Sequence, residues 1–405
     1  MINPPNSRAP AGTVISGALI QLPRSPAPLV SIIIPATAGP DLLHACLRSI
    51  ARYGPSTIPY ETIVVLNEAW DEDAARLKEA ATGVQVISSP FNLGLAGAGN
   101  RGRDLARGEF LLLLHDDAEV EPGWMEALIE TADSHPEAGA IGGKALHPDG
   151  RLQFAGEILW RNGLPSTPWV GSPPAPDAFG KIRAVDHCGS SSLLVRASAW
   201  DLVGGLDERF HPVYYVDVDL AMALQAHGFV VLYQPASRIR HHQGASTTDW
   251  FKQFLFNRNW LQFVEKWGAA LNAYEPSDGD LVAAIERALA RSAAFGQARM
   301  GVPPAVGPAA APRPPFDPIL QERRLAERSR TIQKAYMDHL SRLLDESEAD
   351  RAARLEQINT LTNTLKKSET DRAARLEQIN TLTNTLKESK AAQKIRWRIP
   401  SRLFR

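Results

Sequence analysis

The sequence predicts an α/β protein built on a Rossmann-like, mostly parallel sheet flanked by helices and followed by a helical coiled-coil tail. Three observations carry this. From Leu29 to about Trp267, short apolar β-branched runs alternate with helix-spaced segments, the pattern of a parallel sheet covered by helices. A Pro/Ala stretch from Pro303 to Pro318, with seven prolines, then ends that texture, because proline fixes φ and lacks an amide donor. Beyond it, Asp350–Lys366 recurs as Asp371–Lys387, a period of 21 residues or three heptads.

Taken in order, Leu29–Ile34 reads as a buried strand ended by Pro35. Asp41–Arg52 has helical spacing (Leu42, Leu43, Cys46, Leu47, Ile50), with Asp41 as the expected N-cap. Glu61–Leu66 and Val84–Ser88 read as strands around a helix over Glu72–Ala81. Gly97–Arg107 reads as a helix closed by Gly108, and Phe110–Leu114 as a fourth strand. Further on, Leu193–Val195 and Val230–Tyr233 are strands, with a helix over Leu220–Ala226. With Leu355 at heptad position a, Ile358, Leu365, Ile379 and Leu386 fall at d, so the repeat presents an apolar stripe that needs a partner helix. A single solvated helix is the alternative.

The expected organisation is a Pro-rich leader (1–28), a globular body (29–270), a helical extension (271–301), a Pro/Ala linker (302–318), a coiled-coil repeat region (319–393) and a basic amphipathic C-terminus (394–405). In the last segment Lys394, Arg396, Arg398, Arg402 and Arg405 are interleaved with Trp397, Leu403 and Phe404. That mixture suits peripheral contact with an anionic membrane surface, with a disordered basic tail as the alternative.

Composition excludes several classes. The 44 Lys and Arg balance 45 Asp and Glu, so nucleic-acid binding by bulk charge is not expected. Two cysteines, Cys46 and Cys188, make no disulfide framework, which points to a reducing, cytoplasmic setting. No apolar run approaches the roughly 18 residues of a membrane span. Val14–Ile20 has no basic flank, so no signal peptide is expected.

In parallel α/β sheets ligands sit beyond the carboxyl ends of the strands. His115-Asp116-Asp117 stands at such an end, after five apolar residues. Carboxylates there are costly unless solvated or neutralised, and Mg²⁺ or Mn²⁺ shared with a pyrophosphate would neutralise them. A solvated turn is the alternative. Asp217 and Asp219 open a helix, where the macrodipole favours carboxylates and where one could instead act as a general base. His187 and Cys188 would point to opposite faces and not meet, so that turn reads as a small-residue pocket lining. The glycine-rich Asn92–Gly102 precedes a helix and could let backbone approach phosphate, but it lacks the dinucleotide and P-loop spacings.

As an ordered set, Val30–Pro35, Asn92–Gly102, Gly108–Trp124, Gly142–Gly156, Leu193–Phe210, Tyr214–Phe229 and Ile239–Ser246 resemble the family 2 glycosyltransferases of GT-A fold, in the bacterial surface-polysaccharide and rhamnosyltransferase-like subgroup. The resemblance covers about residues 29–270. It implies an inverting transfer from a nucleotide-diphosphate sugar to a growing surface glycan or lipid-linked acceptor, assisted by Mn²⁺ or Mg²⁺. The alternative is a non-catalytic scaffold in a polysaccharide assembly complex. By the same resemblance Asp117, His115 and His241 are the metal residues. Pro35, Asn67, Asn92, Gly94, Asn100 and Asp116 are the donor-binding residues, and Asp217 and Asp219 the catalytic ones. Val216 stands where the family's acceptor motif has Glu, which leaves Asp217 as the expected base. Leu66 stands where an Asp holds the nucleobase, which leaves that contact to Asn67 or Glu68. A cytoplasmic location, peripheral at the inner membrane face, and self-association or pairing with a partner helix complete the expectations.

Overall fold

The computed structural model describes residues 19–37, 39–69, 71–168, 180–242, 249–277 and 281–304, and in the tail 324, 327–328, 330–332, 334–338, 360–375, 377 and 381. The leader up to 18, Trp169 and the loop to Asp177, most of the linker and repeat, and the basic tip 394–405 lie outside the described residues. The chain divides into two units, Val14–Arg328 and a second made of Met1–Thr13 with Ser329–Arg405.

The first unit begins with β1 (Ile20–Gln21), β2 (Val30–Ala36), α1 (Pro40–Tyr53), β3 (Tyr60–Leu66), α2 (Asp71–Ala80), β4 (Ala81–Thr82), β5 (Val84–Ser88) and α3 (Gly94–Arg103). It continues with β6 (Phe110–Leu114), β7 (Ala118–Val120), α4 (Trp124–Ser134), β8 (Ala138–Leu146), β9 (Leu152–Phe154), β10 (Ile158–Leu159), β11 (Pro165–Ser166) and β12 (Arg183–Ala184). Then come β13 (Ser192–Arg196), α5 (Ala197–Val203), α6 (Val216–Ala226), β14 (Val230–His241), α7 (Asp249–Leu271) and α8 (Leu281–Gln297).

The main sheet has the order β12-β14-β8-β13-β6-β2-β3-β5, with β7 on β14 and β9 on β8. Its first half, β6-β2-β3-β5, is parallel throughout, as the alternating pattern predicts. The second half is mixed. β13 runs antiparallel to both β6 and β8, and β8 and β14 are parallel to each other.

Side-chain alternation feeds two cores. Ile33, Ile63, Leu111 and Leu113 face one side with residues of α3, α5 and α6. Ile32, Ile34, Val64, Leu112 and Leu114 face the other with α1 and α4. Covered on both faces, β2, β3 and β6 are buried at every residue and mostly apolar; the exceptions include Glu61, whose Oε1 accepts from Ser31 Oγ at 2.8 Å.

The differences from the sequence reading have local causes. α1 starts at Pro40, suited to a first helical turn, so Asp41 lies inside the helix rather than capping it. α3 starts earlier, at Gly94, because the Asn92 side chain accepts from Gly94 N at 2.8 Å and turns the chain into the helix. Gly94 has φ +67, and a Cβ there would lie 2.7 Å from His211 Nδ1 and from the Pro212 carbonyl oxygen. β14 does not stop at Tyr233. Its register against β8 shifts between Gln234 and Arg238, a bulge that carries Pro235 out of the ladder and lets the strand run on to His241.

α8 packs on the body. Asp186 accepts from Arg291 Nη2 and Ser292 Oγ of α8, both at 2.6 Å, and from Leu159 N at 2.8 Å. Trp160 is 4% exposed and packs with Ile158, Ala284 and Ala288. That makes it a core residue.

In the second unit residues 360–375 are helical, and Thr364 and Thr370 return hydrogen bonds to the carbonyls one turn back. Among the described residues no helix is long and apolar enough to cross a membrane.

Candidate active site

β6 delivers His115, Asp116 and Asp117 into a turn in which His115 N donates to the Ser191 carbonyl and Ala118 N to the His115 carbonyl. The chain then enters β7, whose Ala118 pairs with His241 at the end of β14, and His242 N donates to the Asp117 carbonyl at 3.0 Å. Main-chain bonds therefore fix Asp117 against His241 before any side chain is considered.

Three side chains converge there. His115 Nδ1 is 3.2 Å from His241 Nε2, and Asp117 Oδ1 is 3.1 Å from His241 Nε2 and 4.0 Å from His115 Nδ1. One ligand atom from each lies within 4.8 Å of the others. His241 Nδ1 is 2.7 Å from Gln153 Oε1, which can only accept, so Nδ1 carries the proton. Nε2 is then the ring atom turned to Asp117. Burial, and then the His241 charge, push the His115 pKa down to about 4, so its imidazole is neutral at pH 7. Burial works to raise the Asp117 pKa, but its hydrogen bond with His241 outweighs that and holds it below the usual range.

Two imidazole nitrogens and a carboxylate aimed at one point repel each other unless a proton or a cation lies between them. An Nε2 proton on His241, shared with Asp117, can fill that place; so can a divalent ion, which takes this mixed donor set. The residues present therefore fit a bound divalent transition ion such as Mn²⁺, and offer Mg²⁺ only the Asp117 oxygen it prefers.

Asp217 is linked to this group through one residue. His115 Nε2 is 3.3 Å from Ser190 Oγ, and Ser190 donates to Asp217 Oδ2 from its amide at 2.9 Å and its hydroxyl at 3.3 Å. The other Asp217 oxygen accepts from Val218 N at the start of α6. Val216, in place of an acid, is 1% exposed and packs in the core.

The other expected site residues are distributed unevenly. Asp116 is buried and its Oδ2 accepts from Thr37 N at 2.6 Å, tying the turn after β6 to the end of β2 just past Pro35. Asn67 Oδ1 accepts from Leu93 N at 3.0 Å, and Asn92 and Gly94 shape the start of α3 as described above. Asn100 is spent on structure: its carboxamide donates to the Leu206 carbonyl at 2.8 Å and accepts from Leu206 N at 3.0 Å. Asp219 is likewise engaged by other side chains. Lys266 Nζ lies 2.7 Å from its Oδ1 and 2.8 Å from its Oδ2, and Trp267 Nε1 donates to Oδ1 at 2.7 Å.

His187 and Cys188 do not meet. His187 Nδ1 lies 3.2 Å from Glu157 Oε2, while the Cys188 thiol donates to the Leu232 carbonyl and burial pushes its pKa up to about 12. Such a thiol is no nucleophile. Sequence reasoning missed Gln153 altogether and placed Ser190 only in a pocket-lining turn.

Residues 31–203 match the family model described as Glycosyl transferase family 2. The chain is 30% identical over 262 residues to O-antigen biosynthesis protein RfbC of Myxococcus xanthus, a match covering 60% of this chain and 20% of that protein. It is 32% identical over 150 residues to N-acetylglucosaminyl-diphospho-decaprenol L-rhamnosyltransferase of Mycobacterium tuberculosis, covering 34% of this chain and 48% of the relative. The chain thus spans a fifth to about half the length of these relatives. A crystal structure of GalNAc-T7 with UDP, GalNAc and Mn²⁺ aligns with TM-score 0.48 at 15% identity, over 62% of this chain and 50% of that one.

Proposed function

Residues 31–203 carry a glycosyl transferase family 2 domain, and on that premise we propose that the chain is an inverting, divalent-metal-assisted glycosyltransferase. It takes a nucleotide-diphosphate sugar and passes the sugar to a growing surface glycan or lipid-linked acceptor. The observation that carries this reading is the convergence of His115, Asp117 and His241, with Asp217 one serine away. The relatives named for O-antigen biosynthesis and for rhamnosyl transfer to a diphospho-decaprenol support the class of acceptor.

When bound at the triad, a divalent ion such as Mn²⁺ would supply the positive charge that stabilises a departing nucleoside diphosphate. His115, Asp117 and His241 are the residues that would hold it. Asp217 accepts the proton of the attacking hydroxyl, and the Ser190 bonds fix which of its oxygens is turned to that task. Asn67, Asn92, Gly94 and Asp116 shape the donor side through the backbone bonds they make. Asp219 and Asn100 are left out of the chemistry, because their polar atoms hold neighbouring elements. The heptad repeat pairs with a second helix, and the basic tip contacts an anionic membrane face on the cytoplasmic side.

The test pairs transfer assays over a panel of nucleotide sugars with direct measurement of Mn²⁺ binding. Asp117→Ala should weaken Mn²⁺ binding and remove transfer. Asp217→Asn should keep Mn²⁺ binding and lose transfer by about a hundredfold or more, the scale of a missing general base. A protein that binds nucleotide and Mn²⁺ yet turns over no donor would be a scaffold instead.

A further inference from the structure

The segment leading to Asp217 has an unusual backbone. Tyr214 and Tyr215 are consecutive and both have positive φ, 73° and 66°. A bulky residue in the left-handed region is strained and persists only where the surroundings impose it. α6 begins at the next residue, and Asp219 N donates to the Tyr215 carbonyl at 2.9 Å. The strained pair therefore sets the direction from which Asp217 enters the site.

One side chain gathers that segment. Asn259, in the middle of α7, has no solvent exposure. Its Nδ2 donates to the carbonyl oxygens of Phe210 at 3.0 Å, Val213 at 2.8 Å and Tyr214 at 3.1 Å. Its Oδ1 accepts from Arg258 Nη1 at 2.6 Å, which fixes the amino end toward the three carbonyls. Arg258 Nη1 also donates to the His211 carbonyl at 3.2 Å. The Tyr215 ring packs 5.2 Å from Phe256 and 5.1 Å from Phe263 of the same helix, and its hydroxyl donates to the Gly163 carbonyl at 3.0 Å. α7 thus holds the turn by polar bonds at one point and ring packing at another.

We propose that Asn259 is a positioning residue that holds the Phe210–Tyr215 turn in its strained form and thereby sets Asp217 against Ser190 and His115. It touches neither the triad nor Asp217. Its catalytic consequence rests on the function proposed above; its effect on the turn does not.

The experiment compares Asn259→Leu, which removes the donor at similar volume, with Asn259→Ser, which keeps one donor. Amide hydrogen exchange over residues 210–219 reads the turn directly, with no need for turnover. Protection there should fall by about tenfold in the Leu variant and by less in the Ser variant, while the amides of β2 and β6 stay unchanged. With an active donor, kcat should fall by about a hundredfold in the Leu variant, the scale of a 1 Å misplacement, and donor KM and Mn²⁺ affinity should stay within about twofold. If the Leu variant does not fold, the Ser variant carries both readouts. Unchanged exchange over 210–219 would overturn the proposal, as would loss of Mn²⁺ affinity in step with kcat. A parent protein that transfers no sugar would overturn the proposed function instead, and the exchange result would still decide the role of Asn259.

Discussion

Gln153 grips His241 at both its side chain and its main chain. Its Oε1 lies 2.7 Å from His241 Nδ1, and its Nε2 donates to the His241 carbonyl oxygen at 3.4 Å. The first bond fixes the tautomer that leaves Nε2 free for a ligand, and the second holds the end of β14 at β9. Removing it leaves a buried ring N–H with no acceptor and frees the imidazole to rotate. Gln153→Leu is expected to weaken Mn²⁺ binding by about 10–100-fold, the usual cost of losing the group that orients a metal-binding histidine. Calorimetric titration checks this, with a thermal melt in the absence of metal as the folding control.

The pH dependence of stability should carry the mark of His211. It is 7% exposed, and its pKa is pushed down from 6.5 to about 4 chiefly by burial, with nearby Arg328 and Arg258 acting the same way. For a base whose folded pKa is depressed, the unfolded chain binds the proton more readily. Stability is then fully present above the unfolded pKa and is lost as pH falls toward the folded one. This one group should withdraw about 2 kcal/mol between pH 6.5 and 5, at about 1.4 kcal/mol per unit. Urea unfolding at pH 7.5 and pH 5, compared with His211→Gln, checks this: the variant should show the shallower loss. His115 titrates in the same direction, so the difference between parent and variant is the quantity to read.

The Asp186 contacts make α8 a structural part of the first unit. Asp186→Ala removes the acceptor for Arg291, Ser292 and Leu159 N at once, leaving the half-buried Arg291 guanidinium without its acid. Loss of one partner of a fully buried pair costs about 3–5 kcal/mol, and the partial exposure of Arg291 puts this loss at or below the lower end of that range. Chemical denaturation should show a loss of that size, and limited proteolysis should cut within 281–297 well before the main sheet.

Much of this was legible in the sequence. β3 and β6 could be read because strands covered on both faces are mostly apolar at successive positions. His115, Asp117 and His241 could be named because their residue types and neighbours carry a family pattern. The continuation of β14 could not be read, since Pro235 argues for a strand end and only the bulge against β8 shows otherwise. Asn100 and Asp219 sit in motif stretches and look chemical, yet Leu206 and Lys266 occupy their polar atoms. Gln153, Ser190 and Asn259 are ordinary polar residues whose partners lie far along the chain, and nothing in local spacing distinguishes them from solvated ones.

The place of β13 between β6 and β8 has a consequence for synthesis. A ribosome adding about 5–20 residues per second finishes β6 several seconds before it reaches Ser192. Through that interval a nascent chain can already pair β6, β2, β3 and β5, but Phe110–Leu114 stands as an unpaired sheet edge of five apolar residues, with charges only beyond its ends at Glu109 and Asp116-Asp117. β13 is the lid for that edge, supplied late and from far downstream. Chains cut short before it, or stalled between the two strands, carry an aggregation template in the same residues that deliver His115 and Asp117 to the site.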